Sequence, residues 1–171
     1  LRAGDRAQQY LAALRSVGTV PAARQRTDSH AFVAALADTA NSLCRPARLT
    51  FVLRENWQGP FLCAAPELTR ALENILDNAV GHTPAGGTVT LDVSKAEDTL
   101  VFTVTDTGPG FTPEALHKAG QFLYTDAARP CNGHQGLGLY LARSVAQAHG
   151  GKLVLANTGT GAHVQLCLPM Q

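Results

Sequence analysis

Between residues 66 and 80, Leu68, Leu72, Ile75, Leu76 and Ala79 recur at helical spacing. Glu73, Asn74, Asp77 and Asn78 share the opposite side at about 100° per residue, so the pattern predicts an amphipathic helix. Pro66 stands where a first helical turn tolerates it, and Thr83-Pro84-Ala85-Gly86-Gly87 stops the helix. A second helix is predicted over 28–43, capped by Asp28 or Ser29. Phe32, Val33, Leu36, Thr39, Ala40 and Leu43 form its stripe, and Pro46 lies just beyond its end. A shorter helical pattern covers 1–18, with Tyr10, Leu11, Leu14 and Val17 near one face and Gly18 closing it. Residues 19–27 are polar, contain Pro21 and read as a linker.

Strand patterns fill the remainder. Residues 49–53 and 61–64 are short β-favouring runs separated by a turn cluster at 56–60. Val89, Leu91 and Val93 alternate with polar neighbours, and so do Leu100, Phe102 and Val104. With residues 95–98 joining the two runs, they predict an antiparallel hairpin. A short helix starts at Thr112-Pro113-Glu114, and periodicity is then weak as far as Gln135. Gly136-Leu137-Gly138 opens a further helix carrying Leu141 and Val145 and ending at Gly150-Gly151. Residues 153–156 and 162–168 form a last hairpin around Thr158-Gly159-Thr160-Gly161. The sum is an α+β chain, a two-layer α/β sandwich with helices covering one face of a mixed, mostly antiparallel sheet. The division is a helical segment at 1–18, a linker at 19–27 and one domain over 28–171.

Composition narrows the classes. At 171 residues, 45% hydrophobic and 16% charged, the chain is neither disordered nor a coiled coil. Fourteen Lys and Arg against 13 Asp and Glu leave a formal charge of +1, which gives no footprint for nucleic acid. No apolar run approaches membrane length, and no signal-peptide pattern opens the chain. Cys44, Cys63, Cys131 and Cys167 are scattered without C-x-x-C or metal spacing, so they read as small core hydrophobes in a reducing compartment. Because Leu1 rather than Met comes first, a fragment of something larger is expected.

Three segments carry candidate chemistry. In Glu73-Asn74-Ile75-Leu76-Asp77-Asn78, two asparagines four apart stack on one helical face. Asparagine disfavours helix interiors, and its carbonyl suits a hard cation; a solvated polar face explains the pair equally well. Asp106-Thr107-Gly108-Pro109-Gly110 ends a strand with a carboxylate that can accept from an exocyclic amine. Its glycines let backbone approach a flat ring, although an ordinary turn has the same composition. Gly133-His134-Gln135-Gly136-Leu137-Gly138-Leu139 feeds a helix N-terminus, which offers N–H groups and a favourable dipole to phosphate. It is neither a Walker A loop nor a dinucleotide fingerprint, and a glycine-rich cap turn reads the same way.

In order and spacing the three resemble the ATP-binding catalytic domain of sensor histidine kinases, within the GHKL (Bergerat-fold) ATPase superfamily. "LENILDNAVGHTP" resembles its asparagine box, "DTGPG" its first glycine box and "GHQGLGLYLARSVAQAHGG" its second. The likeness covers roughly residues 45–169. It implies ATP and Mg²⁺, with Asn78 as metal ligand, Asn74 beside it at phosphate or metal-bound water, and Glu73 as the adjoining acidic catalytic group. It implies that Asp106 accepts from the adenine 6-amino group, and that Gly108 and Gly110 form the pocket wall and the hinge of an ATP lid. Gly136, Leu137 and Gly138 would set backbone donors against phosphates. Phe122, in "QFLYTD", matches the phenylalanine box of the lid or acts as a simple hydrophobic anchor. His82 follows the position where the family usually has Lys or Arg, here Gly81; it supplies a hydrogen bond or is structural. Arg129 and Lys118 are the only basic residues offered near the lid.

The implied reaction moves the γ-phosphoryl group of ATP to a His on an upstream dimerisation and phosphoacceptor domain, and onward to a response regulator. None of His30, His117, His134, His149 and His163 has the acceptor's context, so the acceptor is expected upstream of Leu1 and this fragment is expected to be inactive alone. A cytoplasmic location follows, with membrane anchoring only through segments outside the chain. Two alternatives stay open: another GHKL ATPase such as a serine-protein kinase, or a degenerate nucleotide-binding interaction domain.

Overall fold

A computed structural model describes residues 23–118 and 137–170. In chain order they form β1 (Gln25–Asp28), α1 (Ser29–Cys44), β2 (Thr50–Glu55), β3 (Pro60–Cys63), α2 (Ala65–His82), β4 (Thr88–Ala96), β5 (Thr99–Asp106), α3 (Pro113–Lys118), α4 (Leu137–Ala148), β6 (Lys152–Asn157) and β7 (Ala162–Pro169). Five strands make one sheet in the order β2-β4-β5-β7-β6. β2 runs parallel to β4, and every other neighbouring pair is antiparallel. This is the mixed, mostly antiparallel sheet that the pattern predicts.

The alternation along β4 and β5 decides which face is covered. Val89, Leu91, Val93, Leu100, Phe102 and Val104 are all buried. They share one core with Leu68, Leu72, Ile75 and Leu76 of α2 and with Val33 and Leu36 of α1. α2 packs between α1 and α4, so the helices form the second layer. Phe32, Phe61 and Phe102 meet at ring centroid distances of 5.8–6.3 Å, with Phe32 edge-on to the other two. Tilted and edge-on contacts of this kind suit the ring quadrupole.

Two elements depart from the pattern. The polar stretch read as linker stops short, because Gln25–Asp28 is a strand paired antiparallel with Pro60–Cys63. That pairing is made by backbone groups, so no apolar alternation marks it. The β4–β5 connection is the two residues Glu97 and Asp98 rather than four, with Glu97 at φ 53°. The ladder continues through Lys95 and Ala96, whose side chains have already left the core.

The helix ends follow local rules. The Asp28 carboxylate accepts from Ala31 N–H at 3.0 Å and caps α1. Ser29 is fully buried, and its hydroxyl accepts from Gly59 N–H at 2.9 Å. α4 ends in a Schellman motif: Gly150 adopts φ 77°, Gly150 N–H donates to Gln147 O and Gly151 N–H to Ala146 O. Arg24 adds a bond from its guanidinium to Ala148 O at 3.1 Å. Cys44, Cys63 and Cys167 are buried, and burial pushes each thiol above its ordinary pKa. Cys131 lies outside the described residues.

Candidate functional site

α2 supplies the first part of the site. Its apolar stripe is buried, which leaves Glu73, Asn74, Asp77 and Asn78 half-buried on the far side. The Asn74 side-chain nitrogen is buried and has no hydrogen-bond partner among the described residues. A buried amide left in that state is costly, and it marks a place where a polar ligand would be welcome. At the end of α2, His82 donates from Nδ1 to Asn78 O at 2.8 Å, which puts the ring proton on Nδ1.

The end of β5 supplies the second part. Asp106 is 3% exposed, and its Oδ1 accepts from Gly108 N–H at 2.9 Å and from Ala162 N–H at 3.3 Å. Both bonds hold the carboxylate in one orientation. Thr107 fastens the turn to β4: its N–H donates to Thr88 O, and its hydroxyl accepts from Thr88 N–H at 2.9 Å. Gly110 adopts φ 78°, where a side chain would be strained.

The first turn of α4 supplies the third part. A methyl group at Gly138 would lie 3.6 Å from Asn74 Cβ and 3.8 Å from Asn74 O, which is ordinary packing distance. Neighbouring protein atoms therefore do not force a glycine at 138. What its missing side chain provides is open space beside Asn74.

α2 is the element that brings these parts together. Gly138 abuts it at Asn74, and Gly108 abuts it at His82, where an added Cβ would stand 2.5 Å from His82 O. Asn74, Asn78 and His82 thus lie along α2 with Gly138 against the first and Gly108, next to Asp106, against the last; Glu73 lies on the same side of α2, and Gly110 follows in the same turn as Asp106 and Gly108. Phe122 and Gly136 lie outside the described residues, as does the side chain of Leu137.

Two further residues belong to this neighbourhood and escape sequence reasoning. Asn157, at the end of β6, accepts from Phe111 N–H and donates to Phe111 O, both at 2.7 Å. Gly161 runs against the Asp106 backbone so closely that any Cβ would collide with Asp106 O. The signal available in sequence is an Asn leaving a strand just before a Thr-Gly-Thr-Gly turn, which reads as turn chemistry alone.

Among the described residues no three His, Cys, Asp or Glu side chains cluster at metal spacing. Beside the carboxylates of Glu73 and Asp77, α2 presents the amide oxygens of Asn74 and Asn78, a donor type that suits a hard cation.

Comparison with known proteins bears on the family and the fold. A family model described as "Histidine kinase-, DNA gyrase B-, and HSP90-like ATPase" matches residues 63–171. The sensor histidine kinase SpaK of Bacillus subtilis is 42% identical over 106 residues, covering 61% of this chain and 23% of SpaK. The sensor protein SphS of Synechococcus elongatus is 31% identical over 165 residues, covering 88% of this chain and 40% of SphS. The chain therefore spans less than half the length of these relatives. Among solved structures, full-length ShkA in complex with AMPPNP superposes with a TM-score of 0.83 at 23% identity, covering 95% of this chain and 35% of that one. The mycobacterial sensor histidine kinase MprB superposes with a TM-score of 0.73, covering 86% of this chain and 99% of that one. With that family model covering more than half of its residues, the chain belongs to the histidine kinase-, DNA gyrase B- and HSP90-like ATPase family.

Proposed function

We propose that this chain is the ATP-binding catalytic core of a two-component sensor histidine kinase. The observation that carries the reading is the convergence on α2: the Asp106 turn meets its C-terminal end at His82, and the α4 glycine turn meets its middle at Asn74. That spacing leaves a carboxylate for a base at one end and helix N–H donors for phosphates at the other. The relatives named above, sensor kinases by description, support it.

In this reading Asp106 accepts from the adenine 6-amino group. Gly108 and Gly110 form the wall against the ring, and backbone N–H groups at Gly136, Leu137 and Gly138 meet the phosphates. Mg²⁺ would be held by Asn78 with Asn74 beside it, where it would neutralise phosphate charge. Glu73 adjoins them, His82 orients the end of α2, and Phe122 anchors the segment after α3. The chain's own work is positioning and electrostatic stabilisation, which dominate phosphoryl transfer. The acceptor His belongs to an upstream dimerisation domain, of which residues 1–18 are the tail; the next recipient is a response regulator. Residues 28–171 are the catalytic domain. Among the described residues no helix is long and apolar enough to cross a membrane. A cytoplasmic site of action is part of the proposal.

Calorimetry with MgADP and MgATP tests the nucleotide reading directly. Binding that Asn78→Ala abolishes supports it, and no binding at millimolar nucleotide overturns it. A longer chain that includes the acceptor helix should label a His from ATP. ATP hydrolysis without such labelling would favour another branch of the family.

A further inference from the structure

The β6–β7 hairpin grips the turn from Asp106 to Phe111 at both feet. At one foot, Ala162 N–H donates to Asp106 Oδ1, and Gly161 lies so close to Asp106 O that no larger residue fits. At the other, the single amide of Asn157 takes both backbone groups of Phe111 at 2.7 Å, as a neighbouring strand would. Gly110 lies directly over that amide: at its φ of 78°, an added Cβ would stand 2.9 Å from Asn157 Oδ1. The arch that bears Asp106, Gly108 and Gly110 is thus shaped by a hairpin some 50 residues downstream.

We propose that Asn157 is a positioning residue that gives the pocket its choice of base. This rests on the nucleotide reading above. With both feet fixed, the Asp106 carboxylate keeps one position relative to the backbone wall. Adenine presents an amine to it and guanine a 6-oxo group, so guanine meets acceptor–acceptor repulsion that a rigid arch cannot relieve. Releasing the Phe111 foot lets the wall shift and the repulsion relax. Selectivity then falls more than affinity does. Asn is required because Phe111 needs an acceptor and a donor together; Ala supplies neither, and Asp supplies only the acceptor.

The test compares this 171-residue chain with Asn157→Ala and Asn157→Asp, measuring dissociation constants for MgADP and MgGDP by calorimetry. Amide hydrogen exchange at Phe111 is followed in parallel. Wild type should prefer MgADP. In Asn157→Ala the ADP-to-GDP preference should fall about tenfold, the scale set by losing one site-defining hydrogen-bonded contact. Phe111 exchange should accelerate while the β4 and β5 ladder amides keep their protection, and Asn157→Asp should fall between. A merely structural role would weaken both nucleotides together and leave the ratio alone. An unchanged ratio with faster Phe111 exchange overturns the role of Asn157 and spares the nucleotide reading, as does a wild type that shows no base preference. A wild type that binds neither nucleotide overturns the nucleotide reading and this role with it. If Asn157→Ala does not fold, Asn157→Asp carries the same comparison.

Discussion

His149 Nε2 accepts the backbone N–H of Ala64 at 3.0 Å, while its Nδ1 donates to Val145 O at 2.8 Å. The donor at one nitrogen and the carbonyl at the other fix the ring proton on Nδ1. The 5%-exposed ring thereby ties the C-terminal end of α4 to the start of α2, which has no side-chain cap at Ala64. These two helices carry the Asn74 and Gly138 halves of the site, so this histidine sets how they lie together.

His149→Ala leaves the Ala64 N–H buried without an acceptor and opens a cavity. The loss should be about 2–4 kcal/mol, and urea denaturation would measure it. A loss under about 0.5 kcal/mol would mean that the bond adds little.

Gly151, at the end of α4, and Gly159, in the β6–β7 turn, should separate sharply. At Gly151 any Cβ would collide with Cys167 O, so Gly151→Ala should cost about 2 kcal/mol or more through forced backbone displacement. Gly159 has nothing within 4 Å of an added Cβ and no left-handed φ. Gly159→Ala should be neutral or stabilise by up to about 1 kcal/mol, because the unfolded chain loses freedom. Thermal unfolding of the two variants side by side checks the contrast.

His30 should titrate above its ordinary 6.5. Its Nδ1 lies 3.0 Å from Glu55 Oε2, and first that hydrogen bond and then the carboxylate charge raise its pKa. A raised folded pKa means that the stabilisation is fully present below 6.5 and fades as pH rises through the folded value. The ring is exposed, so the effect on stability is small and the titration itself is the better readout. NMR of His30 should show its pKa fall back toward 6.5 in Glu55→Gln.

Asp106→Asn and Asp106→Ala should behave differently. Asn keeps one oxygen for Gly108 N–H and Ala162 N–H, so the fold should hold within about 1 kcal/mol. An amide in place of a carboxylate nevertheless fails a purine amine, and MgADP binding should be lost. Ala removes both structural bonds and should lose stability as well, by about 1–3 kcal/mol. Nucleotide binding by Asp106→Asn at wild-type strength would remove Asp106 from the site.

Much of the fold is legible because burial leaves a period in the sequence. The two faces of α2 and the alternation in β4 and β5 place three core elements directly, and the boxes at 73–78, 106–110 and 136–138, each ordinary alone, are legible through their joint order and spacing, which resemble the family's. β1 is illegible because a four-residue polar strand is held by backbone bonds that no side chain advertises. His149 looks like any histidine near a helix end until Ala64 stands beside it.

The order of amino acids by itself determined the layers: which helix faces turn inward, where the strands alternate and which short segments resemble the family's boxes. These are local properties, set by side-chain period and backbone preference within a few residues. Only the tertiary structure decided that Gly138 faces Asn74, that Gly108 rests on His82 and that Asn157 holds Phe111 from 46 residues away. Such contacts depend on sheet order and helix packing, which bring distant positions within hydrogen-bond reach and leave no periodic trace along the chain.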